Sequence, residues 1–292
     1  MTYAMLGQVI AGGLLVGLVY ALVAAGLTLI FGLMDVVNFA HGEFLMVGMY
    51  LTLGMHNLLR LDPVIVMPAT ALLMFAFGAV AYRMFITRAL QAKTNVWMSQ
   101  IFVTFGLALV LRGLAQLAFT PDYRSINDGY LSDRNLHVAG VHLPMAQVAA
   151  GAVCLLAFLC LYLLIAKTTF GRALEATRED REAVGLLGID RHKIFAVGWG
   201  LGSMAVGVAA AMLTTFYYIH PGVGESFILA AFVVVALGGF GSIFGALLGG
   251  LALGLVEALT AFFYEPSMKY IGMYALYLVV VFLRPKGLFG YH

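Results

Sequence analysis

The chain has 292 residues, 63% of them hydrophobic and 10% charged, with a mean hydropathy of +0.99 and a formal charge of +2. This excludes an ordinary soluble domain and gives no electrostatic reason to look for nucleic acid. Several charge-free runs reach the roughly 20 residues a helix needs to cross a bilayer core of about 30 Å, so the fold expected is all-α and polytopic, a single membrane domain over residues 1–292. Cys154 and Cys160 lie in one apolar run on different helix faces, and neither a disulfide nor a metal site is indicated. No Lys or Arg precedes Arg60, so the first apolar run reads as a retained membrane helix rather than a signal peptide.

Taken in order, Gln8 to Met34 is a first span, with Gly13 and Gly17 at the spacing that lets helix backbones approach closely. It runs into Asp35, Asn38, His41 and Glu43, polar groups too close to the next apolar run, Phe44 to Leu59, for a long aqueous loop. A broken helix is expected there, with Gly42 allowing it to restart at an angle. Pro63 to Tyr82 is the next span, followed by Arg83, Arg88 and Lys93, which mark a cytoplasmic side. Asn95 to Phe119 crosses again, carrying Arg112 seven residues before its end, which could pair with a carboxylate such as a bound substrate's, although snorkelling to the outer interface is the expected fate. Residues 120–143 form a polar loop of mixed sign, placed in the periplasm.

Leu143 to Ala166 leads to a connector, residues 167–193, holding Lys167, Arg172, Glu175, Arg178, Glu179, Asp180, Arg181, Glu182, Asp190, Arg191 and Lys193, out of only 16 basic and 14 acidic residues in the chain. Asp180 suits an N-cap, Ala183, Val184 and Leu187 share a helical face, and Gly188 can end the helix in a left-handed conformation. So narrow an apolar face must lie against something else, and a partner protein is the economical answer. Ile194 to Tyr217 returns outward. From Phe227 to Phe263 the run is almost wholly apolar, roughly 55 Å if helical, so it must break, at Gly238-Gly239 or Gly241-Ser242. A last span, from about Met268 to Leu283, ends at Arg284 and Lys286, inside. The count is about eight membrane segments. The two glycine-rich breaks sit in corresponding parts of the two halves, as inverted repeats would place them. Three full crossings before Tyr82 would put the N-terminus outside, and a re-entrant break near Asn38 would put it inside.

The chain carries no G-x-x-x-x-G-K-[ST] loop, so it is not expected to cradle ATP that way, and no nucleophile turn or metal-ligand cluster suggests an enzyme. For Asp35, Asn38, His41 and Glu43 two readings stay open: a translocation-path lining, or a polar break that satisfies its own freed backbone groups. Glu257 reads as facing a subunit interface or a helix end, and the glycine stripes as packing devices.

The stretch GLTLIFGLMDVVNFAHGEFLMVGMY, above all Asn38-Phe39-Ala40-His41-Gly42-Glu43, resembles the N-terminal signature of permease subunits in branched-chain amino acid ABC importers, the H-type subunit of the Liv system. Glu182, Ala183 and Gly188 reproduce the start of the EAA signature of ABC importer permeases, with Val184 in place of its second Ala. The resemblance implies a subunit of the bacterial inner membrane with no cofactor of its own. It would work with a second permease, two cytoplasmic ATPases that use the ATP, and a periplasmic binding protein. Glu182, Ala183, Leu187, Gly188 and Arg178 would couple to the ATPase, and Asp35, Asn38, His41, Gly42, Glu43 and Gly239 would form the path or its gate. Related permeases also serve urea, short amides or aromatic acids. The competing class is a self-sufficient channel or secondary transporter, which has no use for a docking connector.

Overall fold

The computed structural model describes residues 3–92, 95–126, 129–131, 134–138, 140–180, 184–185, 188–284 and 287–289. Its helices are α1 (Tyr3–Met34), α2 (His41–Leu59), α3 (Pro63–Leu90, including a π-helical turn at Tyr82–Ile86), α4 (Val96–Phe119) and α5 (Met145–Lys167). They continue as α6 (Thr169–Glu179), α7 (Arg191–Leu213), α8 (Val223–Gly238), α9 (Ile243–Phe263) and α10 (Lys269–Leu283). An antiparallel hairpin, β1 (Asn135–Val138) and β2 (Val141–Pro144), occupies the loop before α5. Among the described residues seven helices are long and apolar enough to cross a membrane; α2 carries too many polar groups and α8 is too short.

The ends of these elements follow local chemistry. Asp62, Asn95 and Ser242 each accept a backbone N–H from the first turn of α3, α4 and α9. Asp190 does the same for α7, and the N–H groups of Lys193 and His192 hold its carboxyl below the usual carboxylate range. The break between α8 and α9 falls where glycine density indicated: Gly239 and Gly241 have φ of +94° and +88°, a region that side chains with a Cβ avoid.

The core is built around α1 and α7. Residues Val19 to Ile30 of α1 are almost wholly buried, and so is most of α7. Gly13 and Gly17 lie against Gly254, Ala258 and Gly250 of α9, so the small-residue stripes on both helices bring their backbones together, as expected. Trp199 is fully buried beside Phe44 and Tyr82, joining α7 to α2 and α3.

Two ends are defined by contacts. At one, Gly7 of α1 meets Val141 of the hairpin, and Arg124 pairs its backbone with Ile219 in the turn after α7. At the other, Met34 at the foot of α1 and Leu174 of α6 both approach Gly198, Gly32 packs on Gly241, and the N–H groups of Leu288 and Phe289 donate to the carbonyls of Leu237 and Gly238. The N-terminus therefore shares an end with the hairpin, as three crossings before Tyr82 require.

Three features go beyond the sequence reading. The polar loop contains a strand pair. The connector's principal helix is α6, capped by Thr168, buried through Leu174 and ending at Asp180. The carbonyl of Asp180 does accept the N–H of Val184 in a further short turn, and Gly188 is left-handed at φ +76°. Finally, the two breaks differ in reach: the turn at Gly239 and Gly241 lies at the α6 end, where Gly32 touches Gly241, whereas the break after Met34 starts there and runs inward to the start of α2.

Candidate functional site

After α1 stops at Met34, Asp35 turns the chain at φ +59° and residues 35–38 run extended, back alongside α1. The path is held by specific bonds. Thr104 Oγ1 donates to the Val37 carbonyl (3.2 Å), and Asn38 Oδ1 accepts the Ala40 N–H (3.0 Å). His41, the first residue of α2, is fully buried with Nε2 2.9 Å from the Val23 carbonyl. Val23 lies eleven residues above Met34, roughly 16 Å along the helix. The N-terminus of α2 therefore begins deep inside the bundle, not at its surface.

α8 begins at the same depth. Gly42 and Gly224 cross with their backbones in contact; a Cβ on Gly42 would collide with the Gly224 carbonyl and one on Gly224 with that of Gly42. Two helix N-termini, each with partial positive charge, thus meet within the membrane-spanning part of the protein. Each carries an acid in its first turn, Glu43 and Glu225. Between them stands Arg112 of α4. Its Nη2 is 2.5 Å from Glu43 Oε1 and its Nη1 pairs with Glu225 Oε1. Glu43 is almost completely buried, with 4% of its side chain accessible, whereas Glu225 is 62% accessible. Glu43 Oε2 and Arg112 Nε are buried and have no hydrogen-bond partner among the described residues.

The candidate residues therefore separate into two layers. Glu43 and Gly42 belong to the deep layer with Arg112 and Glu225. Asn38 and His41 lie wholly inside the chain and fix the break; Asn38 Nδ2 and His41 Nδ1 are unpaired. Asp35 belongs to the second layer, at the α6 end, where it lines a cavity of about 330 Å³ with Phe31, Gly32, Phe240 and Arg178. Gly239 and Gly241 form the turn beside it, and Arg178 lies against Gly241. Arg178, read from the sequence as a coupling residue, thus reaches the same cavity as Asp35. Gly188 remains on the connector; Glu182, Ala183 and Leu187 lie outside the described residues.

Two of the ionic residues were misjudged or passed over. Arg112 pairs inward with two carboxylates instead of snorkelling, and Glu225 had not been singled out. The signal was present as a repeated dipeptide, Gly42-Glu43 and Gly224-Glu225, each just inside the start of an apolar run. Glu257 pairs with Lys269 at 3.0 Å, in a cavity of about 520 Å³ between α1, α9 and the turn after α7, at the hairpin end. Among the described residues no cluster of His, Cys, Asp or Glu is arranged to hold a metal ion.

A half-helix start with buried charge, a bundle of membrane-length helices and an amphipathic connector at one end together define a membrane permease. Residues 9–281 match the family "Branched-chain amino acid transport system / permease component", and the chain belongs to it. It is 32% identical over 299 residues to the high-affinity branched-chain amino acid transport system permease protein BraD of Pseudomonas aeruginosa, covering 97% of this chain and 95% of that one. It is 29% identical over 294 residues to the corresponding protein LivH of Escherichia coli K12, with the same coverage. The solved structure of PsaBC from Streptococcus pneumoniae in complex with Fab superposes with a TM-score of 0.50 at 14% identity, over 98% of this chain and 94% of that chain, a likeness of fold.

Proposed function

We propose that this chain lines one side of the translocation path of an ATP-driven importer for branched-chain or related amino acids. It would sit in the bacterial inner membrane beside a second permease. The carrying observation is the Glu43–Arg112–Glu225 cluster. Even a single charge at bilayer depth costs about 2.5–3.5 kcal/mol on insertion scales, so the half-exposed Glu225 cannot face lipid and needs water or a partner subunit against it. The face bearing it, formed by α4 and α8, also exposes Phe105, Leu109 and Leu229, an apolar surround suited to a companion permease.

The α6 end is the cytoplasmic one in this reading. Arg83, Arg88, Lys167, Arg172, Arg178, Arg191, Lys193 and Arg284 gather there, in keeping with the positive-inside rule. The connector would dock in a cleft of one of the importer's two ATPase subunits, and the hairpin end, residues 120–143, would receive substrate from a periplasmic binding protein. Affinity purification from membranes tests the assembly. Co-purification of a second permease and an ATPase in stoichiometric amounts is expected; a homogeneous single-subunit species that conducts substrate without ATP would instead make it a channel or secondary transporter.

A further inference from the structure

We propose that the Arg112–Glu225 ion pair is the amino-acid contact within the path, opened by the substrate through exchange of counter-ions. The proposal rests on the transport reading above and adds the residues and the ligand chemistry.

One guanidinium sits between two carboxylates of very different fixity. Glu43 is sealed among α2, α4 and α8, while Glu225 is mostly accessible and anchored by its other oxygen to nothing in the chain's described polar contacts. An incoming carboxylate can replace Glu225 on Arg112 Nη1, with two helix N-termini adding favourable partial charge. The displaced Glu225 then needs a cation.

A zwitterionic α-amino acid supplies both charges at once. Its carboxylate goes to Arg112 and its ammonium to the released, accessible Glu225, with no change in the net charge of the cluster. A lone carboxylate would leave Glu225 uncompensated beside a new negative charge, and a lone amine has no reason to break the existing pair. Below the ions, Leu229 and Phe232 continue the α8 face of Glu225 at helical spacing, and Phe39 packs on Phe232 with ring centroids 5.5 Å apart. These walls suit an aliphatic side chain.

The test is saturation-transfer NMR on the detergent-purified assembled transporter, without binding protein, using three probes: L-leucine, 4-methylpentanoate, which lacks the ammonium, and 3-methylbutylamine, which lacks the carboxylate. Leucine is expected to bind about ten-fold or more tightly than either analogue, the scale of one lost charge-assisted contact. Glu225→Gln should remove the preference for leucine over 4-methylpentanoate, and Arg112→Gln the preference over 3-methylbutylamine. Equal binding of leucine and an analogue to the wild-type transporter overturns the proposal without any variant, as does unchanged leucine binding in both variants. ATP-driven leucine uptake by the wild-type transporter is measured alongside. Uptake without charge-dependent binding defeats only the exchange; no uptake of any neutral amino acid defeats the transport reading itself.

Discussion

Arg112 shows how far a single residue's setting can depart from its local sequence. Seven residues from a helix end, it has every reason to snorkel until Glu43 and Glu225 are brought to it by two other helices. Removing one partner of such a pair strands the other: Arg112→Met leaves Glu43 buried and uncompensated, and a loss of about 3 kcal/mol is expected, at the lower end of the range for buried pairs because Arg112 is itself partly accessible. Adding Glu43→Gln to that variant should recover most of the loss. Thermal unfolding in detergent checks both; a double variant no more stable than the single one would show that the pair contributes little. Gly42 makes a sharper case. A methyl there collides with the Gly224 backbone, so Gly42→Ala should cost about 1–3 kcal/mol by forcing α2 and α8 apart, seen as a lowered unfolding temperature, whereas alanine at Gly54, which has open space around it, should leave it unchanged.

At the scale of elements, much was legible because glycine and proline mark where helices stop. The ends of α2, α4 and α9, the start of α3 and both breaks fall close to where the sequence indicated, since caps and left-handed glycines are local devices, whereas α3 runs on to Leu90, past the expected end at Tyr82. The connector was less legible. Its longer helix, capped by Thr168, precedes the turn that follows Asp180, and what fixes it is the burial of Leu174 in the contact region of Gly198 and Met34, a tertiary gain that no short window displays. The relation between the breaks was hidden for the same reason: glycine density reports that a chain turns, not at which end. The connector also carries a prediction. Gly188 holds φ +76°, which a β-branched residue tolerates poorly, so Gly188→Val should weaken ATPase association while leaving the fold's unfolding free energy within about 1 kcal/mol of wild type. Pull-down with the ATPase measures it, and undiminished association would remove Gly188 from the docking surface. Topology is checked by single cysteines in a background lacking both Cys154 and Cys160. Tyr3 and Tyr130 should label from one side of the membrane and Glu175 from the other; labelling of Tyr3 and Glu175 from the same side would contradict the arrangement of ends.

For the whole molecule, the two layers suggest how a cytoplasmic element reaches a deep site. Arg178 of α6 shares a cavity with Asp35 at the foot of the extended segment, and that segment leads within a few residues to Glu43. A shift of α6 on its ATPase would therefore press on the chain that positions the α2 N-terminus, so Arg178→Ala should lower transport per hydrolysed ATP more than it lowers assembly. The central claim, that this chain forms a path only as part of a driven complex, is tested most directly by leucine uptake into proteoliposomes. The chain alone is compared with the chain plus the second permease, ATPase and binding protein. The account predicts ATP-dependent accumulation in the complete system and none with the chain alone. Accumulation or rapid equilibration by the isolated chain, or full activity of a complex from which it has been left out, would contradict it.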